Sequence, residues 1–227
     1  MPDFRVETKI KNNYKLQPFI LLMNFESVFS LLEQSHQPTM LEQLNNYTPF
    51  QQLVATLLSS RTKDSTTIPI VKKLFVKYTS PEDFLDLKEK ELYGIGFYKV
   101  KTKNIHKLSK IIINDYDGQV PSSFEELASL PGVGRKTANC VLSYTFHQPA
   151  IAVDIHVHRI SNRLGWVKTE TPEETEASLQ KIVPRNRWSK INKLFVNHGQ
   201  RICLPRNPKC PVCLINKYCE YRITSLK

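Results

Sequence analysis

Long apolar runs are missing from this 227-residue sequence: the longest, Phe19 to Met23, falls far short of a membrane-spanning helix. The N-terminus also lacks the charged-then-apolar pattern of a secretory leader, so a soluble intracellular protein is expected. Acidic residues are few. Against 32 Lys and Arg stand 21 Asp and Glu, a formal charge of +11. A surface this basic concentrates polyanions around itself, which makes nucleic acid the first partner to consider and leaves a membrane surface without support. Cysteine is nearly absent before Cys203, where only Cys140 occurs. That distribution is poor material for a secreted disulfide framework. Alternating strand patterns are scarce, and no solenoid-type repeat is present.

What is present reads as helix after helix. The chain is 41% apolar, enough for one compact unit or two small domains sharing a cleft. Phe25, Val28, Phe29 and Leu32 recur at helical spacing, as do Phe50, Leu53, Val54, Leu57 and Leu58, then Ile70, Val71, Leu74 and Phe75. Connectors such as Asn45 to Pro49 and Asp117 to Pro121 are short and carry turn residues. The fold class is therefore all-α, with roughly ten helices. Residues 1–15 are polar, rich in Lys and Asn and without an apolar period, and read as a flexible basic arm.

Between two helical segments lies Leu130-Pro131-Gly132-Val133-Gly134. Ser122 to Glu126 holds two overlapping Ser-x-x-Glu capping boxes that start the first helix, and Ala138, Val141, Leu142 and Thr145 mark a face of the second, from Arg135. Glycines without side chains let backbone N–H groups approach an anion at the second helix's start, although such a turn can equally serve only to join helices. Lys136 lies in that helix's first turn, where the positive macrodipole disfavours its charge, so easier deprotonation is expected. A neutral amine is a nucleophile; a charged one merely contacts phosphate. Asp154 precedes the segment Ile155 to Leu164, closed by Gly165, and is placed to cap it, with a catalytic carboxylate as the second reading. His156 and His158 sit two apart on that segment, pointing to different faces, and read as structural.

Four cysteines, Cys203, Cys210, Cys213 and Cys219, follow the pattern C-x6-C-x2-C-x5-C among three prolines. Four thiols this close point to a metal centre. Zinc usually takes two C-x2-C knuckles and only one is present, while the ferredoxin spacings do not match either. Arg206 and Lys209 project between the first two cysteines and could meet a phosphate or water alone. Cys140 reads as a small buried apolar residue.

Taken together, these segments resemble the endonuclease III family. Leu130 to Ala138 resembles its helix-hairpin-helix, Val153 to Arg159 its aspartate segment at the family's 18-residue distance from Lys136, and the cysteine spacing its [4Fe–4S] loop. The resemblance spans about Asn24 to Tyr221. It implies a bifunctional DNA glycosylase and abasic-site lyase of base excision repair, acting on oxidised pyrimidines or abasic sites in double-stranded DNA. Lys136 would form a Schiff base at the sugar C1′, with Asp154 as the catalytic carboxylate. Leu130, Gly132, Val133, Gly134 and Arg135 would grip a backbone phosphate. Leu57 to Asp64 resembles the segment that fills the gap left by the flipped nucleotide, and Gly94 to Lys99 the one that supplies an apolar wedge. The residues there are Arg61, where bacterial members typically carry Gln, and Phe97, larger than the usual Leu. The four cysteines would hold the cluster, with Arg206 and Lys209 on DNA.

The implied architecture is two helical domains flanking a DNA-binding cleft: residues 42–148 as a six-helix barrel, and 16–41 with 149–227 as the cluster domain. No diffusible cofactor is implied, the chain would act as a monomer, and it would work beside the DNA, in cytoplasm and nucleoid or in a nucleus. The alternatives are a mismatch or purine-specific glycosylase on the same fold, or a non-catalytic DNA-binding module.

Overall fold

The computed structural model describes residues 17–224, with side chains from Phe25; the expected basic arm at 1–15 lies outside the described residues. The described backbone is helical and contains no strand. Its α-helices are α1 (Gln17–Gln34), α2 (Pro49–Ser59), α3 (Asp64–Lys77), α4 (Tyr98–Asp115), α5 (Phe124–Ser129), α6 (Arg135–Cys140), α7 (Ile155–Leu164), α8 (Pro172–Ile182), α9 (Trp188–Arg201) and α10 (Glu220–Thr224). No described helix is long and apolar enough to cross a membrane.

Local chemistry explains where several helices start. At α2 the Thr48 hydroxyl accepts from Gln51 N (3.2 Å) while the Gln51 side chain accepts from Thr48 N (3.1 Å), with Pro49 at the first helical position. Thr171, Pro172 and Glu174 repeat this arrangement at α8. Such a reciprocal box satisfies two otherwise orphaned donors.

Buried apolar residues form two clusters. One runs from Met40 to Ala150 and wraps α2, which is buried from Phe50 to Leu58. The other joins Phe25, Val28, Phe29 and Leu32 of α1 to residues between Ile151 and Ile215. Trp166 anchors it, with the rings of Phe25, Phe195 and Phe29 at 4.5, 5.4 and 5.8 Å. The chain crosses from one cluster to the other between Ala150 and Ile151. Within the second, α7 packs on α9 so closely that a Cβ on Gly199 would come within 2.5 Å of His156 Nδ1. Only glycine allows that approach.

Lys101 is the notable polar group of the first cluster, only 7% exposed. Its ammonium donates to Leu58 O (2.8 Å), to Ser60 O and to Thr62 Oγ1 (3.4 Å), closing the C-terminal end of α2, where carbonyls lack partners. Burial pushes its pKa down to about 8. Lys101→Met fills the same space but strands those carbonyls, so stability should fall by about 2 kcal/mol. The check is a lower urea midpoint at unchanged slope.

Candidate functional site

Ser123 caps α5 through Glu126 N (3.3 Å), and its hydroxyl donates to the Glu126 carboxylate, so the second of the two Ser-x-x-Glu pairs starts the helix without the reciprocal backbone bond of a full box. Leu130 and Val133 are buried, at 3% and 5% exposure, and pin the hairpin to the first cluster. Any contact these two make with a ligand must therefore pass through their backbone. Gly132 holds φ +81, and a Cβ there would meet Asn104 Nδ2 at 2.7 Å. A Cβ on Gly134 would meet nothing within 4 Å, so the start of α6 opens onto free space. Backbone N–H groups beside such a gap form an anion site.

Arg135 opens α6, but its guanidinium is already engaged. Nε and Nη2 donate to the two Glu176 oxygens at 2.8 and 2.9 Å, and the Cζ lies 4.9 Å from the Phe124 ring centroid. Glu176 belongs to α8, on the other cluster, and its side chain is 4% exposed. The pair thus ties the start of α6 to the second half of the molecule.

Lys136 is half-buried, and its charge is felt by groups from three segments. Its pKa is raised, by Cys140 first and by the Asp154 and Asp64 carboxylates, against burial, which works the other way. The expectation from the helix dipole, an easily deprotonated lysine, is therefore overturned: neighbouring groups outweigh partial charges at the end of a short helix. Burial pushes the Cys140 thiol up, against the pull of the neighbouring Lys136, which works the other way. After Cys140 the helix does not continue in α register but widens into a π turn, Val141–Thr145. Two cross-links accompany the turn, Tyr144 Oη donating to Asn192 Oδ1 (2.9 Å) and Thr145 Oγ1 to Gln52 Oε1 (2.9 Å).

Asp154 caps α7, its Oδ1 accepting from His156 N (2.9 Å) and Val157 N (2.8 Å), while its other oxygen makes no hydrogen bond among the described residues. Asn192 holds the preceding segment through Ala152 O (2.7 Å). His156 Nδ1 is bonded to Arg159 Nη2 (3.0 Å), and burial, set against Asp154 and opposed also by Asp64, lowers its pKa. An arginine can only donate, so Nδ1 accepts and the imidazole proton sits on Nε2. His158 bonds Thr175 Oγ1 (2.7 Å).

All four loop cysteines are free thiols and line one recess, with Arg163, His198 and Ile215. Among the described residues no three His, Cys, Asp or Glu side chains gather as a single-ion centre. Four thiols lining one recess are the donor type and number that a [4Fe–4S] cluster takes, so the donor set fits that group. Arg159 and Arg163 carry the loop on α7: Arg159 donates to Cys203 O (2.7 Å), Arg163 to Cys203 Sγ (3.2 Å) and Leu204 O (2.8 Å). Arg206 and Lys209 are exposed. Arg61 and Phe97 are also exposed and meet at the tips of two loops, away from either core.

The sequence reading missed Asp64 and Glu176. Asp64 begins α3, accepts from Gln200 Nε2 (3.0 Å) on α9, and acts on both Lys136 and His156. An acid in a helix's first turn was the only sign of it. Glu176 looked like one more solvated glutamate on α8. Its role is open to measurement: Arg135→Met leaves a buried carboxylate unpaired and should cost about 3 kcal/mol in chemical denaturation, whereas Arg135→Met with Glu176→Leu should recover most of that loss.

Residues 54–185 match the HhH-GPD superfamily of base excision DNA repair proteins. Endonuclease III of Thermotoga maritima is 50% identical over 177 residues, covering 76% of this chain and 83% of the relative. Endonuclease III of Bacillus subtilis is 44% identical over 177 residues, covering 76% and 81%. Among solved structures, a trapped endonuclease III–DNA covalent intermediate superposes with a TM-score of 0.76 at 34% identity, covering 89% of this chain and 98% of the other. A thermostable thymine-DNA glycosylase reaches 0.77 at 25% identity, covering 92% and 98%. The hairpin, the aspartate-capped helix and the fold they share place this chain in the endonuclease III family of base-excision DNA glycosylases and abasic-site lyases.

Proposed function

We propose that the chain removes oxidised pyrimidines from double-stranded DNA and cleaves abasic sites, through a covalent intermediate on Lys136. The observation that carries this reading is the electrostatic grouping of Lys136 with Asp154, beside a hairpin whose Gly134 opens onto free space. Backbone N–H groups of Gly132, Gly134 and Arg135 hold a phosphate, while Val133 N–H closes the turn on Leu130 O, and the nucleotide beside it is flipped toward the lysine. Arg61 and Phe97 occupy the space it leaves. Arg206 and Lys209 meet the DNA backbone.

Lys136 rests as an ammonium, so its first requirement is to lose a proton. The unbonded oxygen of Asp154 is suited to receive it, while its other oxygen stays committed to the α7 cap. The amine then attacks C1′, the glycosidic bond breaks, and the base departs with the bonding electron pair. As the sugar opens, O4′ takes a proton and C1′=N forms. Loss of a proton from C2′ expels the 3′ phosphate, and water releases the lysine.

Cys203, Cys210, Cys213 and Cys219 would hold a [4Fe–4S] cluster, which when bound cross-links the C-terminal loop. The chain would act as a monomer, wherever the DNA is kept.

Borohydride should trap a covalent adduct with abasic-site duplex, at a rate that rises with pH as the neutral amine fraction grows. Lys136→Gln should abolish the adduct; an adduct that persists in that variant ends the Lys136 assignment. Asp154→Asn should slow trapping about a hundredfold or more, the range expected for a lost proton acceptor. For the cluster, metal analysis should find about four irons per chain. One zinc and no colour would refute it.

A further inference from the structure

His198 is a buried ring that the proposed chemistry leaves without a part. It lies in the last turn of α9, 6% exposed, and lines the recess of the four cysteines. The residue reaches two of them. Its backbone oxygen accepts from Cys203 N (3.0 Å), and its Nε2 lies 3.5 Å from Cys213 Sγ, in hydrogen-bonding contact. Helix packing, rather than the loop, sets the place of the ring: the neighbouring Gly199 lets α9 approach α7 so closely that a Cβ there would collide with His156. A side chain anchored in this way can orient and tune a metal ligand without being one.

We propose that His198 is a positioning residue for the cysteine centre, one that donates its Nε2–H to Cys213 Sγ and raises the reduction potential of the cluster held there. The inference rests on the iron–sulfur reading above and adds a residue that tunes it. A sulfur that ligates metal has given up its proton, so it can only accept, and the shared hydrogen must sit on the ring. A donor aimed at a ligand sulfur draws electron density from it. Reduction adds negative charge to the centre and strengthens that bond, so the reduced form gains more than the oxidised one. Arg163 at Cys203 Sγ (3.2 Å) and the Ile215 N–H at Cys213 act in the same direction. Arg163 also carries Leu204 O and Pro205 O, so its replacement would displace the loop. His198 instead meets the sulfur through a ring that another side chain of similar size can replace.

The test is the midpoint potential of the full chain purified with its metal in place, measured by protein-film voltammetry. His198→Phe keeps a ring of similar size but removes the donor, and should shift the potential to lower values. His198→Gln, whose side-chain amide can donate from a similar reach, should restore most of that shift. A role in packing alone would change how much cluster is retained, not the potential of what remains. An unchanged potential in His198→Phe, with iron content equal to that of the unaltered chain, therefore overturns the proposal. Should His198→Phe retain no iron, the unaltered chain labelled with 15N-histidine decides instead: pulsed EPR of the paramagnetic cluster should show a weak coupling to a histidine nitrogen, and no such coupling overturns the proposal. Zinc in place of iron would defeat the cluster reading and this inference with it. Iron present with neither shift nor coupling would defeat this inference only.

Discussion

Glu176 is a carboxylate almost wholly out of water, and its charge is matched by one guanidinium, that of Arg135. A buried charge is tolerable only while its partner stays in place. The first residue of α6 is consequently held against α8, and Lys136, the next residue, inherits that position. Because the two partners belong to different apolar clusters, the reactive end of the hairpin cannot drift from the half of the molecule that carries Asp154. Tyr144 with Asn192, and Asp64 with Gln200, bridge the same two halves around it.

Helix α7 transmits this arrangement further. Its N-terminus is capped by Asp154, its body carries Arg159 and Arg163 to the first cysteine loop, and His156 packs against Gly199 of α9. The carboxylate that caps α7 and the loop that carries the thiols are thus tied to one helix. A metal centre in that loop would act on the active site through position, by stiffening the helix that aims Asp154, rather than by contact with the reacting atoms.

The electrostatics of the lysine show where local reasoning reaches its limit. The start of a helix disfavours a cation, and sequence position alone suggested a readily deprotonated amine. Cys140 lies one turn along the same helix, Asp154 and Asp64 come from elsewhere, and together they raise the pKa instead. In the proposed mechanism the amine is therefore protonated at rest and needs a nearby proton acceptor to release it. Leu130 and Val133 make a similar point, since their side chains are spent on the core and their N–H groups on Leu127 O and Leu130 O.

Much was legible in the sequence because it depends on neighbours along the chain: helices from apolar spacing, caps at Ser123 and Asp154, the glycines of the hairpin, and four thiols within one loop. These are short-range matters of dihedral freedom, periodicity and spacing. Contacts between distant segments were not legible. Glu176 is 41 residues from Arg135 and Gln200 is 136 from Asp64, and no local pattern distinguishes them from solvated side chains. The close approach of Arg61 to Phe97 likewise depends on Lys101 pulling one loop under another. The sequence by itself determined the helices and the kinds of chemistry carried on them. The charge on Lys136, the committed state of Arg135 and the joining of the two loop tips were decided only by tertiary structure, because burial and electrostatic neighbours exist only once the two cores have packed.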